Sequence, residues 1–338
     1  MRLLAGWFGA RAPGWLPRLL GRAVARVATR RRAALRYLPH AQRPAVVVIG
    51  NLVVGGTGKT PLVAEVARSL AARGWRVGIL ARGHRARRRD PRLVGPDDDA
   101  LEHGDEPVLL ARVTDLPVAC GHDRGAALAL LTRRHPGLEI VISDDGLQHA
   151  RLPRSLELAV FDARGAGNGE VLPAGPLREP LAHLATMDAM LWRDDEAAPR
   201  LSAAVARPAR TFGFHLVPTG WRAVRDHRAT PLALAEFAAR VRGQTVHALA
   251  GIARPERFFD TIRDCDIVVD RRHALPDHVV ADASLLPPPP AIILMTAKDA
   301  VKFARFADER CWCLEVRAHL DPALLIWLEE TLLGPSPY

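Results

Sequence analysis

The chain has 338 residues, enough for one large domain or two, and its 49% hydrophobic and 25% charged side chains exclude a disordered or fibrous protein. The formal charge of +10 is confined to one end: ten Arg and no acidic residue fall within residues 1–43, and the 37 basic residues that remain equal the 37 acidic ones. A neutral body argues against a nucleic-acid-binding surface, which needs clustered positive charge.

The amino-terminal arm is predicted to be a basic amphipathic helix over 16–37. Helical spacing puts Leu16, Leu19, Leu20, Ala23, Val24 and Val27 on one arc, with Arg18, Arg22, Arg26 and Arg30 at i,i+4 along its flank and Arg31 intruding on the apolar side. Leu3, Leu4, Trp7, Phe8 and Trp15 precede it. This pattern reads as a segment lying in an anionic membrane surface. No apolar run approaches the roughly 20 residues that span a bilayer, and Arg interrupts every candidate signal-peptide core. An Arg-rich helix packed on the body and an organellar transit peptide are the competing readings.

A β-branched strand then runs into Gly50-Asn51-Leu52-Val53-Val54-Gly55-Gly56-Thr57-Gly58-Lys59-Thr60 and a helical segment over 62–73. Strand, glycine-rich loop and Gly-Lys-Thr at a helix start form a phosphate-binding P-loop. Backbone amides and the helix N-terminus cradle phosphate, Lys59 reaches the β/γ-phosphates, and the Thr60 hydroxyl can ligate Mg²⁺. Val53 stands where the common spacing has its first glycine.

A second strand over 75–80 leads to the basic run 82–89, and 90–100 reads as a turn-rich loop. Asp105 and Glu106 stand at a turn before a helical stretch to Arg112, where they fit a helix N-cap. The strand over 138–143 delivers Asp144, Asp145, Gln148 and His149 at its carboxyl end, where ligands sit in doubly wound sheets and where Mg²⁺ needs a carboxylate. One more strand over 156–161 precedes a glycine-rich loop over 165–169, a proline-punctuated segment over 172–180 and a weaker strand over 189–192. The Ala/Pro/Arg-rich stretch 194–210 reads as a domain edge. Beyond it, 246–252, 266–270, 291–296 and 312–316 are predicted strands; 232–242, 255–263, 300–306 and 322–333 are predicted helices. The four cysteines (Cys120, Cys265, Cys311, Cys313) lack metal spacing, and Cys311 and Cys313 fit alternate positions of a strand, as in a reducing compartment. The expectation is an α/β fold: a P-loop NTPase-like, mainly parallel domain over 44–210, a smaller α/β domain over 211–338, and the arm over 1–43.

These motifs together resemble the tetraacyldisaccharide 4′-kinase family. The P-loop run carries the resemblance with Gly104-Asp105-Glu106-Pro107, Asp144-Asp145-Gly146-Leu147-Gln148-His149 and Leu172-Pro173-Ala174-Gly175-Pro176-Leu177-Arg178-Glu179-Pro180. Pro255-Glu256-Arg257-Phe258-Phe259, Pro276-Asp277-His278 and Thr296-Ala297-Lys298-Asp299-Ala300-Val301-Lys302 follow in order. Arg254, Val279 and Ala297 depart from the usual pattern at positions with no assigned chemistry.

The resemblance implies an ATP- and Mg²⁺-dependent kinase, peripheral on the cytoplasmic face of the bacterial inner membrane. Its acceptor would be the 4′-hydroxyl of an acylated glucosamine disaccharide 1-phosphate. It makes Asp105 the base, assisted by His278, with Lys59 completing the catalytic set. Asn51, Gly55, Gly56, Thr57, Gly58, Lys59 and Thr60 would bind the nucleotide. Thr60, Glu106, Asp145 and Glu179 are metal candidates, although each carboxylate also suits a cap. Asp144, Gln148 and His149 can meet either substrate, and Arg178 can offset charge on the transferring phosphoryl group or pair near Glu179. The alternative is a P-loop NTPase acting as a switch or metallochaperone, and a soluble small-metabolite kinase is a third reading that the arm disfavours.

Overall fold

In a computed structural model, residues 6–8, 13–193, 201, 205–277 and 279–333 are described; Leu3, Leu4, His278 and parts of 194–210 lie outside them. The framework is one twelve-stranded sheet. In chain order its strands are β1 (Ala45–Gly50), β2 (Val77–Ala81), β3 (Arg92–Val94), β4 (Val118–Cys120), β5 (Ile140–Asp144), β6 (Leu156–Phe161), β7 (Ala189–Arg193), β8 (Arg210–Ala223), β9 (Val246–Ala250), β10 (Arg271–Ala274), β11 (Ile292–Thr296) and β12 (Cys311–Leu320). Across the sheet they run β10-β9-β11-β12-β8-β7-β6-β1-β5-β2-β4-β3. All neighbours are parallel except β8–β12 and β3–β4.

The helices are α1 (Trp15–Ala33), α2 (Lys59–Ala72), α3 (Ala100–His103), α4 (Asp105–Thr114), α5 (Arg124–Arg134), α6 (Leu234–Val241), α7 (Pro255–Asp264), α8 (Ala297–Phe303) and α9 (Pro322–Leu333). β1 is buried on both faces, as a β-branched run in a parallel sheet should be. Its alternation feeds two cores: Ala45, Val47 and Ile49 pack with α2, α4 and α9, and Val46 and Val48 with α5 and the loops after β5 and β6. A second pair of cores flanks β9, β11 and β12.

The long β8–β12 pair, with a register shift between Glu315 and Val316, carries the sheet from the first half of the chain into the second. β8 was not anticipated, because Gly213, Pro218 and Gly220 interrupt its apolar pattern. Two other expectations need correction. Residues 266–270 are not a strand: Asp266 has φ +58°, Val268 is exposed, and Asp270 turns back so that its carboxylate accepts from the Val246 amide before β10 begins. The loop over 90–100 contains β3, whose short length and paired Arg hid it.

Helix α1 docks on the body by a narrow stripe. Gly21 is buried, and a Cβ there would stand 2.8 Å from the Val171 carbonyl. Ala25 joins the core beside β6, Thr29 meets the His183 ring at 3.2 Å, and Arg32 pairs with buried Glu157 at 2.5 Å. The apolar arc faces away: Trp15 is 77% exposed and Leu16, Leu19, Leu20 and Val27 are about half exposed. No helix among the described residues is long and apolar enough to cross a membrane.

Candidate active site

The loop after β1 is shaped by two left-handed glycines, Gly55 (φ +99°) and Gly58 (φ +83°), the second capping α2. Lys59, the first residue of α2, sends its ammonium to Asn51 Oδ1 at 2.9 Å and to Asp145 Oδ1 at 3.4 Å. Asn51 Nδ2 in turn donates to the Gly55 carbonyl, 3.2 Å away, so the asparagine ties the lysine to the loop. Thr60 Oγ1 lies 3.4 Å from Asp144 Oδ2. Thr57 is buried.

β5 pairs directly with β1, which sets Asp144 and Asp145 beside the loop. Their surroundings drive them apart. Burial, with the charge of Glu106, pushes the Asp144 carboxyl up to about 7 against the pull of Lys59. Burial also works to raise Asp145, but Lys59 and Arg178 overcome it and hold that carboxyl below the ordinary range. Arg178 Nη1 donates to both Asp145 oxygens, at 2.7 and 2.9 Å, and to Gln148 Oε1 at 3.2 Å. Gln148 Nε2 donates to Glu179 at 2.7 Å and to the Asn51 carbonyl at 3.3 Å. Glu179 also receives His183 at 2.8 Å and lies 3.7 Å from Arg32 of α1. His149 points elsewhere, within 3.2 Å of the His122 carbonyl.

Across from the loop, Asp105 and Glu106 occupy the first turn of α4, and Asp105 is buried. Helix α8 packs against α4 and brings Lys298 between them. Its ammonium is 3.1 Å from Glu106, 3.6 Å from Asp105 and 3.9 Å from Asp277. Burial would lower that ammonium's proton affinity, but Glu106, Asp105 and Asp277 outweigh it and raise it. His278 lies outside the described residues.

Three residues near the site were not anticipated. Lys298 stands in a stretch quoted for resemblance alone. Arg124, buried at the start of α5, donates to the Asp144 carbonyl at 3.2 Å. Arg164 joins the loop after β6 to the P-loop by donating to the Gly56 carbonyl at 3.1 Å. An Arg with no periodic partner leaves no mark in a local pattern.

The family model for tetraacyldisaccharide-1-P 4′-kinase matches residues 14–333. A tetraacyldisaccharide 4′-kinase of Chromobacterium violaceum is 42% identical over 341 residues, covering 97% of each chain. One from Alkalilimnicola ehrlichii is 48% identical over 292 residues, 85% of this chain and 82% of that protein. Among solved structures, LpxK from Aquifex aeolicus, crystallised in complex with ATP, superposes with a TM-score of 0.76 at 25% identity, over 94% of this chain and 98% of that one. The P-loop, the acidic turn after β5 and the carboxylates of α4 thus stand in a chain that belongs to the tetraacyldisaccharide-1-P 4′-kinase family.

Proposed function

We propose that this chain transfers the γ-phosphoryl group of ATP to the 4′-hydroxyl of a tetraacyldisaccharide 1-phosphate. The observation that carries the reading is the packing of α4 on α2, which sets buried Asp105 and its neighbour Glu106 beside the P-loop where Thr60 meets Asp144 and Lys59 meets Asp145. A P-loop alone holds a nucleotide; a buried carboxylate opposite it offers a base to a hydroxyl acceptor.

In this reading Lys59 and the loop amides orient the β- and γ-phosphates. Asp105 accepts the proton of the sugar hydroxyl, with His278 as its partner, while the new O–P bond forms and the bond to the β,γ-bridging oxygen breaks. Mg²⁺ suits the residues present: the Thr60 hydroxyl adjoins Asp144, and Asp144 Oδ1 is buried with no hydrogen-bond partner among the described residues. Among those residues no cluster of three or more His, Cys, Asp or Glu forms a metal cage, but Mg²⁺ keeps several waters and takes phosphate oxygens, so few protein ligands suffice. Bound there, with Glu106 nearby, it would neutralise charge on the triphosphate. Asp145 and Glu179 act as anchors for Lys59, Arg178 and Arg32.

The acceptor's acyl chains account for the arm. A groove beside α1 is lined by Val24, Val27, Leu35 and Leu147 together with the charged Arg31, Arg32, Arg178 and Glu179. We place the enzyme peripherally on the cytoplasmic face of the inner membrane, with the exposed apolar arc of the 1–43 arm against the lipid surface and units 44–210 and 211–338 forming the cleft. The test is to incubate purified protein with Mg-ATP labelled at the γ-phosphate and the acylated disaccharide 1-phosphate in detergent. Label should appear on the disaccharide; label released only as inorganic phosphate favours a switch NTPase instead.

A further inference from the structure

Arg164 stands in the loop after β6, the neighbour of β1 on the side opposite the acidic turn. Its guanidinium is fixed from one edge. Nε lies 2.9 and 3.0 Å from the two oxygens of Asp162, and Nη2 is 2.9 Å from Asp162 Oδ2 and 3.1 Å from the Gly56 carbonyl. Asp162 is itself buried at the end of β6, and burial would raise its carboxyl, but Arg164 and then Arg257 outweigh that and keep it low. Phe8 of the arm covers the guanidinium at 5.1 Å. The remaining nitrogen, Nη1, makes no hydrogen bond among the described residues. It stands 3.0 Å from the point where a side chain on Gly55 would begin.

We infer that Arg164 is a catalytic arginine supplied in cis to the transferring phosphoryl group, and that Asp162 is the residue that positions it. The inference rests on the kinase reading above. P-loop glycines approach the β/γ end of a bound triphosphate because they carry no side chain. Here the space a Gly55 side chain would need is closed by a cation, so the loop and the arginine form one anion-facing surface. Phosphoryl transfer spreads charge over the equatorial oxygens, and donors fixed in advance stabilise that charge without reorganising. With Nε and Nη2 held by Asp162 and the Gly56 carbonyl, the planar guanidinium holds the Nη1 N–H groups in place to donate to the phosphoryl oxygens.

The step balances without a further reactant. The acceptor oxygen bonds to the γ-phosphorus, the electron pair of the broken bond remains on the β,γ-bridging oxygen of ADP, and the acceptor proton passes to Asp105. Arg164 donates hydrogen bonds and keeps its proton throughout. Arg178, which has the same charge, is engaged by Asp145 and Gln148 on the other side of the loop. Arg254 and Arg257, from the second half of the chain, reach the same Asp162 oxygen at 3.5 and 4.0 Å, so the carboxylate that positions Arg164 also meets the far wall of the cleft.

The test uses the full chain with Arg164→Gln and Arg164→Ala. Three readouts are compared: labelled transfer to the disaccharide, the Kd of a non-hydrolysable ATP analogue, and the Kd of ADP with aluminium fluoride, which mimics the flattened phosphoryl group. Arg164→Gln should lower kcat by about 10²- to 10³-fold. The ATP-analogue Kd should stay within about threefold, and the tighter binding of ADP–aluminium fluoride should disappear. Added guanidinium ion at millimolar concentration should restore part of the activity of Arg164→Ala, which an unfolded variant could not show. Equal losses for both nucleotide complexes, with no rescue, overturn the inference and leave Arg164 as a brace for the P-loop. A wild-type enzyme that releases phosphate without labelling the disaccharide overturns the acceptor assignment instead, and the arginine is then judged on aluminium fluoride binding alone.

Discussion

Asp144 and Asp145 share one turn, yet a proton separates them near neutral pH. The folded value of Asp144, about 7, lies above its ordinary 3.8, so the fold favours the protonated acid. Its contribution to stability is complete below about pH 4 and is lost as the pH climbs toward 7. A metal needs the ionised carboxylate and must displace that proton. The Mg²⁺ concentration that gives half the maximal rate should therefore rise as the pH falls below about 7, by up to tenfold per unit. Rate titrations at about pH 6 and about pH 8 check this, and equal half-saturation at both would remove Asp144 from the metal site. Lys59→Ala should lower kcat by about 10²-fold or more, because Lys59 is the cation shared by Asn51 and Asp145 at the loop. Its melting temperature should barely change, since Asp145 keeps Arg178; a variant with near-normal kcat would rule out the P-loop role. Spacing alone exposed Lys59, Thr60 and the Asp pair, since each belongs to a contiguous motif. It was silent on Lys298, whose partner Glu106 is 192 residues away, and on Arg164, 108 residues from Gly56. Side-chain partnership over such distances leaves no local period to read.

Among the elements, α1 packs on the body along one stripe and leaves exposed the apolar arc on which the membrane-surface reading rests. The helix packs on the body through Gly21, Ala25 and Arg32, and its Leu arc remains exposed. The two faces can be tested separately. Leu19→Glu with Leu20→Glu should leave the melting temperature unchanged but reduce sedimentation with anionic vesicles at least tenfold. Each buried leucine contributes about 1.5–3 kcal/mol. Gly21→Leu should act in the opposite sense. A side chain there meets the Val171 carbonyl, so the helix must lift, and activity should fall on vesicle-embedded and detergent-dispersed lipid alike while vesicle binding persists. Binding of the intact protein should also weaken with salt, because the flanking Arg residues act within a Debye length of roughly 8–10 Å. Equal vesicle binding by wild type and the double Glu variant would mean that the arc does not meet lipid. Strands were legible where both faces are buried and β-branched, as in β1 and β5, and illegible where glycine, proline and charge break the run, as in β8 and β3.

At the scale of the molecule, the sheet does not stop where the composition suggested a domain edge. β7 pairs with β8 in parallel, β8 pairs with β12, and hydrogen bonding continues to β10 at the far edge. The chain then returns. Leu324, Leu325, Leu328 and Leu332 of α9, the last helix, enter the same core as Val47 and Ile49 of β1, and the Trp327 ring lies tilted against Phe212 of β8 at 5.4 Å. Glu329 reaches Arg73 and the Trp75 indole beyond the end of α2. The helix that closes the described chain is thus a wall of the nucleotide-binding half, and the two halves share both a sheet and a core. Unfolding should follow as one cooperative transition, because neither half can lose its structure without exposing apolar surface of the other. Leu328 is fully buried, and Leu328→Ala removes most of its side chain from that core. The expected loss is about 2–5 kcal/mol, which lowers the melting temperature by several degrees. Calorimetry of wild type and Leu328→Ala, each with and without Mg-ATP, measures the effect. A single transition that moves as a whole, and that nucleotide raises in both proteins, fits a shared core. Two resolved transitions, with the substitution shifting only the one that nucleotide does not raise, would mean that α9 belongs to an independent second unit.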